Sequence, residues 1–413
     1  MPGPYDVIVI GARCAGSPTA MLLARRGHRV LAVDRATFPS DTVSTHVLHP
    51  PAAAALKRWG LLERLTATGC PPIHTYAFDF GPFTIAGSPG TPEAPVAYCP
   101  RRTVLDKLLV DAAREAGAEV REDFTVDEIV TEDGRGTGRR GRAARGAPVT
   151  ERAAIVVGAD GRHSLLAQAV KPEQYRERPP LLAGYYTYWR GLPMDGRFET
   201  YIRPHRGFAA APTHDGLTLV IAGWPHAELE VFKQDVEANY LATLDLVPAF
   251  AARVRRATRA ARFVGATVPN YFRKPYGPGW ALVGDAGYNK DPVTAQGILD
   301  AFRDAERCVE ALDQHLRGGR PFEEVLRAYQ RDRDEHALAM YELTCQLATL
   351  APPPPELGGL LAAIAGNRPA MDAFVRMNAG VLSPAAFFAP ENVRAMLAGG
   401  PAGAGIDARP AVG

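Results

Sequence analysis

Cysteine is scarce and badly placed for cross-linking: Cys14, Cys70, Cys99, Cys308 and Cys345 are scattered through 413 residues. Five is odd, and no Cys-x-x-Cys pair occurs, which excludes a disulfide framework or a cysteine zinc site and fits a reducing cytoplasm. No apolar run approaches about 20 residues, so no spanning helix and no integral membrane association are expected. No basic stretch precedes the first apolar run, so a secretory signal is not expected either. Charge is nearly balanced, at net +2 with 22% charged residues, which points to neither a nucleic-acid nor an acidic partner. The length implies two or more domains, because single cores rarely grow past about 250 to 300 residues.

What the chain does have stands at its start. Val7 to Ile10 is a short continuous apolar run suited to a parallel strand buried on both faces, and Gly11 supplies a tight turn after it. Gly16 permits close helix packing, residues 17 to 26 read as a helix stopped by Gly27, and Asp34 ends a second strand. This is a nucleotide-binding βαβ pattern whose helix amides would face a pyrophosphate. It departs from the pattern at the middle glycine, which is Arg13. That side chain must either swing away from a pyrophosphate or bind it.

Further on, the spacing predicts helices over 51–59, 101–116, 228–244, 248–258, 298–316 and 322–348, with strands over 118–132 and 149–157. The arginine- and glycine-rich stretch 134–148 reads as a solvated hairpin loop. Residues 181–224 alternate aromatic and small residues, as an antiparallel sheet does, with His214-Asp215-Gly216 as a turn. Pro352 to Pro355 breaks the chain before a small helical segment at 357–364 and 370–377, and residues 399–405 read as a loose tail.

Two downstream segments narrow the opening motif. Ile155 to Ser164 is an apolar strand ending in Asp160-Gly161. Trp280 to Ala286, containing Gly284-Asp285, is followed by Asp291-Pro292-Val293-Thr294-Ala295-Gln296-Gly297-Ile298. In this order the three segments resemble the superfamily of FAD-dependent monooxygenases and geranylgeranyl-reductase-like flavoproteins, built on the para-hydroxybenzoate-hydroxylase fold. The resemblance covers roughly residues 5 to 345. It implies an α/β architecture: a Rossmann-like FAD-binding domain (1–180 and 271–345), an inserted antiparallel β-sheet substrate domain (181–270), and a C-terminal helical segment (346–413).

The resemblance also implies roles. Gly11, Arg13, Ala15 and Gly16 would shape the pyrophosphate turn, Asp34 would accept from the adenosine ribose, and Arg35 would lie against the adenine. Thr45, His46, Arg102, Val126 and Asp160 would line the cofactor, with Arg102 reaching the FAD chain. Gly284 and Asp285 would meet the ribityl chain, while Pro292, Ala295, Gly297 and Ile298 would present a helix start to the flavin ring. Tyr288, Asn289 and Lys290 could reach the flavin edge. No catalytic dyad stands out; His46, Tyr186, Tyr188 and Trp224 are the candidates nearest to such a role, and two histidines, His46 and His49, do not make a metal site.

The activity implied is NAD(P)H-dependent monooxygenation through a flavin C4a-hydroperoxide, with O₂ and an apolar or aromatic small molecule as co-substrates. The alternatives are a reductase of substrate double bonds and a non-catalytic flavin-binding protein. Neither a paired-tryptophan halogenase motif nor a lysine in the corresponding N-terminal region is present. Gly287-Tyr288 stands where aromatic hydroxylases carry a histidine after the alanine.

Overall fold

The computed structural model describes residues 5–132, 135–143 and 146–398. Its first layer is the parallel sheet expected from the apolar runs. Strand Tyr5–Ile10 lies between Val149–Gly158 and Val30–Val33, with Trp280–Leu282 beyond the former and Glu119–Arg121 beyond the latter. Val7, Ile8 and Val9 are wholly buried, as a strand covered on both faces requires. Helices Gly16–Arg25, Arg102–Glu115 and Gly297–Leu316 cover one face through Met21, Leu105, Leu109 and Phe302. The other face buries Ile8, Leu31 and Val156 under Phe124, Leu166 and Trp280.

The stretch expected to be a solvated loop is instead largely a strand. Arg135–Ala143 pairs with both Phe124–Glu132 and Val149–Gly158. Its glycines serve close approach rather than turning: a Cβ on Gly138 would lie 2.3 Å from the Glu151 carbonyl oxygen, and one on Gly141 2.3 Å from that of Thr125. Arg139 is fully buried, with its guanidinium carbon 3.9 Å from the centre of the Phe124 ring. The strand expected over 118–132 is broken between Arg121 and Phe124, where Asp123 turns with φ 52°.

The second sheet contains Leu182–Arg190, Leu217–Pro225, Arg206–Pro212 and Arg197–Arg203 in antiparallel succession, with His214–Gly216 as the turn. It also recruits two earlier strands. Thr75–Asp79 runs parallel to Arg197–Arg203, with Tyr76 opposite Phe198, and Thr84–Gly87 closes that edge. The sheet is therefore not confined to residues 181–270, because part of it comes from the segment before Arg102.

One face of this sheet packs on helices Leu229–Gln234, Val236–Asp245 and Pro248–Arg255 through Trp189, Phe208, Trp224, Tyr240 and Phe250. The single helix expected at 228–244 is split because Asp235 leaves helical geometry and caps the second half, accepting from the Ala238 amide at 3.0 Å. The opposite face carries Tyr76, Phe78, Tyr186 and Tyr188, and meets the C-terminal helices Pro355–Ile364 and Arg368–Asn378 through Leu361 and Phe374. Two further short helices, Pro384–Phe387 and Pro390–Leu397, follow. Each starts with the proline that suits a first helical position, a signal the sequence carries. The tail expected at 399–405 lies outside the described residues.

Candidate functional site

The glycine turn is built by contacts that admit no side chain. Gly11 has φ +98°, and a Cβ there would stand 2.4 Å from the Ala159 carbonyl oxygen; a Cβ on Gly16 would stand 1.8 Å from that of Gly11. Gly284, with φ +59°, approaches the same turn from the far end of the chain, where its Cβ would meet the Ala15 methyl at 2.9 Å. Its amide donates to Asp304 Oδ2 at 3.0 Å. The three motifs, separated by more than a hundred residues each, thus converge on one turn.

Asp34 braces that turn, accepting from the Ala12 amide with one oxygen and from the Ala36 amide with the other, both at 2.8 Å. It remains partly accessible, and Arg35 beside it is exposed. Asp160 accepts from the Leu165 amide at 2.6 Å, while its other oxygen is buried and has no hydrogen-bond partner. Burial pushes its pKa up. Asp285 is exposed on one side, yet the protein around the rest of it raises its pKa by desolvation, and Arg102 works in the opposite direction. Val126 packs with the Phe124 and Leu31 cluster, near the Asp34 end of the sheet. Thr45 is half-buried beside His46.

Arg13 has swung aside. Its Nη1 donates to Asp106 Oδ2 at 2.6 Å and to the Ser40 carbonyl at 3.3 Å, and its Nη2 donates to Ser40 Oγ at 3.0 Å. Arg102, also buried, is held by the same carboxylate through Nε and Nη2 at 2.9 to 3.1 Å. Sequence reasoning missed Asp106, although its spacing of four from Arg102 on one helix was a usable signal.

In the segment before helix Gly297–Leu316, Asp291 Oδ1 accepts from the Val293 amide at 3.0 Å, so Pro292–Thr294 forms a single tight turn. Burial lifts the Asp291 carboxyl to about 7. Ala295, with φ 54°, occupies the left-handed region where many relatives of the resembling superfamily have glycine. Gly297 then opens helix Gly297–Leu316 at an exposed position where a Cβ would meet nothing within 4 Å, and Ile298 turns into the core. Tyr288, Asn289 and Lys290 satisfy their own neighbourhood. Lys290 Nζ donates to the Tyr288 hydroxyl at 2.7 Å and pairs with Asp300, and Asn289 donates to the Pro269 carbonyl.

The loop after Asp34 brings His46 against the second sheet. His46 takes φ 65° and is wholly buried. Its Nδ1–H donates to the Ser44 carbonyl at 2.7 Å, which leaves Nε2 to accept from the Tyr188 hydroxyl at 2.8 Å. Burial, assisted by the Arg102 charge, lowers its pKa to about 4, so the ring is neutral at pH 7. Tyr186 stands edge-on to it at 5.6 Å, and burial raises that phenol to about 12. His49 is a bridge: it accepts from the Tyr76 hydroxyl at 2.9 Å and donates to the Thr294 carbonyl at 3.2 Å.

Trp224 does not join this group. It lies on the opposite face of the sheet, packed on Phe232, with Nε1–H donating to Thr243 Oγ1 at 3.0 Å. Side chains alternate across a strand, so Tyr186 and Tyr188 share a face while Trp189 takes the other. A separate cleft of about 640 Å³, lined by Arg162, His163, Asn270 and Tyr271 among others, lies beside the site, with the Tyr271 hydroxyl donating to the Asp285 carbonyl at 3.1 Å. Among the described residues no group of histidines, cysteines and carboxylates could hold a metal, and no helix is long and apolar enough to cross a membrane.

A dinucleotide flavin fits this arrangement on three observations. The Gly11, Gly16 and Gly284 cradle would be filled by any Cβ, the helix start at Gly297 is exposed with free space around it, and Asp160 offers a buried acceptor without a partner. Comparison with known proteins agrees. The chain is 24% identical over 350 residues to a tryptophan 2-halogenase of Chondromyces crocatus, covering 82% of this chain and 66% of that protein. It is 27% identical over 360 residues to a digeranylgeranylglycerophospholipid reductase of Methanosarcina mazei, covering 82% and 84%. The solved structure of pqsL, a probable FAD-dependent monooxygenase from Pseudomonas aeruginosa, superposes with a TM-score of 0.69 at 20% identity over 90% of this chain and 99% of that one. The family model described as FAD binding domain matches residues 4–344, and the chain belongs to that family of FAD-dependent oxidoreductases.

Proposed function

We propose that the protein is an NAD(P)H-dependent monooxygenase that inserts one oxygen atom of O₂ into an apolar or aromatic small molecule. The observation that carries this reading is the position of the neutral, buried His46–Tyr188 pair, on the loop that connects the glycine turn to the aromatic face of the second sheet. The turn around Gly11, Ala15, Gly16 and Gly284 would hold the FAD pyrophosphate, with Arg102 as its charged partner. Asp34 would take the adenosine ribose, Arg35 and Val126 the adenine, and Asp160 and Asp285 the hydroxyls nearer the flavin. The Thr45–His46 loop, Pro292 and Ala295 would border the ring, and the helix-start amides at Gly297 and Ile298 would face its pyrimidine end, where negative charge develops on reduction.

When bound, FAD would supply the redox chemistry with a nicotinamide coenzyme and O₂. The chain's own part is to bind, orient and exclude water. Tyr186 and Tyr188 offer an apolar wall with hydroxyl tips, and Phe374 and Phe387 of the C-terminal helices pack into the same cluster, which closes that face against solvent. His46 fixes the Tyr188 hydroxyl in one direction rather than carrying charge. Halogenation is less well supported, because the chain carries neither a paired-tryptophan motif nor an obvious loop lysine in the N-terminal region where the resemblance places one in halogenases.

The test is turnover by the FAD-loaded protein with aromatic and polyketide-like compounds. Substrate-triggered consumption of NAD(P)H and O₂ in equal amounts, with a product heavier by one oxygen atom, is expected. A saturated product formed without O₂ would replace this reading with a reductase like that of M. mazei, and a halogenated product would replace it with a halogenase.

A further inference from the structure

We propose that Asp106 is a positioning residue for the pyrophosphate turn, holding the Arg13 side chain out of the space that a middle glycine would leave open. The inference rests on the FAD reading of that turn. Backbone amides in a strand–turn–helix unit must approach a diphosphate closely, which is why the pattern asks for a glycine where Arg13 stands. A long side chain at that position is compatible with the approach only if it is anchored elsewhere.

The anchor is complete. The Arg13 guanidinium lies 5.1 Å from the Phe38 ring centre and spends its donors on Asp106 and Ser40, none of which belongs to the turn. Asp106 has no solvent exposure and divides its two oxygens among three donors. It receives Arg13 across the turn, Arg102 from one helical turn earlier, and the Cys14 thiol at 3.4 Å. One buried carboxylate therefore sets the direction of both cations, and each bond is charge-assisted. Asparagine at this position keeps the size but removes the charge and replaces one of the two accepting oxygens with an NH2 donor, so it cannot hold both guanidinium groups as the carboxylate does.

The experiment measures FAD affinity of the apoprotein by quenching of flavin fluorescence, with far-UV circular dichroism to confirm folding. Asp106→Asn is expected to weaken FAD binding by about tenfold or more, because a buried charge partner is lost. Arg13→Gly alone is expected to stay within about threefold of wild type, and Arg13→Gly combined with Asp106→Asn to regain at least about threefold over Asp106→Asn alone, the remaining deficit belonging to Arg102 released from the same carboxylate. A merely structural role for Asp106 would not be rescued by removing Arg13. Wild-type affinity in Asp106→Asn, or equal weakness with and without Arg13, overturns the proposal.

Should Asp106→Asn not fold, Ser40→Ala removes an Arg13 tether and leaves the Arg102–Asp106 pair intact. It is expected to weaken binding by about two- to fivefold when residue 13 is arginine and to have no effect when it is glycine. Equal effects in both backgrounds overturn the proposal. Folded wild-type protein that binds no FAD would overturn the FAD reading and this proposal with it, whereas tight wild-type binding without rescue overturns the proposal alone.

Discussion

His49 and Asp304 hold the loops of the site by opposite electrostatic means, and the difference is measurable. Burial lowers His49 to about 4, so between pH 6.5 and 4 the unfolded chain binds a proton that the folded protein refuses. Its stabilising contribution is present above pH 6.5 and is lost as pH falls through that window, by on the order of 3 kcal/mol at most. In His49→Gln, the Tm deficit against wild type is expected to be largest near pH 7.5 and to shrink toward pH 4.5. Asp304 is the reverse case, because burial lifts it to about 7 from an ordinary value near 4. The folded state then binds the extra proton, and stability is lost as pH rises from 4 to 7. Asp304→Asn is expected to gain on wild type across that range in thermal melts, and a constant difference would contradict the assignment. At this scale the sequence was most legible where geometry permits only glycine, as at Gly11, Gly16 and Gly284. The Arg102–Asp106 pair was legible from its i,i+4 spacing, but the Arg13–Asp106 pair was not, because the two residues lie 93 apart and nothing local announces that register.

Among the elements, the attachment of the C-terminal helices to helix Gly297–Leu316 is the feature that local patterning could not reveal. Gln296 Nε2 donates to the Asn378 carbonyl at 2.8 Å, and Arg303 Nη2 donates to that of Gly380 at 3.0 Å. These bonds join the start of Gly297–Leu316 to the end of Arg368–Asn378. A buried side-chain hydrogen bond contributes about 1 kcal/mol, and one from a charged donor about 1.5 to 3. Gln296→Ala combined with Arg303→Ala is therefore expected to speed limited proteolysis in the exposed, proline-rich link at 351–355, several-fold over wild type. Unchanged cleavage would show that apolar packing alone seats the segment. Elements with strong periodicity, such as Arg102–Glu115 and Gly297–Leu316, matched the sequence pattern closely. The strand Arg135–Ala143 did not, because its glycines look like turn residues until the neighbouring strands that crowd them are in place.

At the scale of the whole molecule, one site is made from distant parts of the chain. The first βαβ unit supplies the turn, Asp160 ends the next strand of the same sheet, and Gly284 arrives from beyond the second sheet to touch Ala15. Motif order along the sequence was enough to anticipate that convergence. It was not enough to anticipate that Thr75–Asp79 would leave the first domain and pair in parallel with Arg197–Arg203, since such pairing has no local signature. The most direct test titrates apoprotein with FAD and compares wild type with Gly284→Val, whose side chain would enter the 2.9 Å approach to Ala15 in a backbone conformation unfavourable to a branched residue. Saturable binding of one FAD per chain by wild type, with affinity reduced at least about tenfold in a folded Gly284→Val, is the expected result. Folded wild-type protein that binds no FAD, or a variant that binds it equally well, would contradict a cofactor site assembled at that contact.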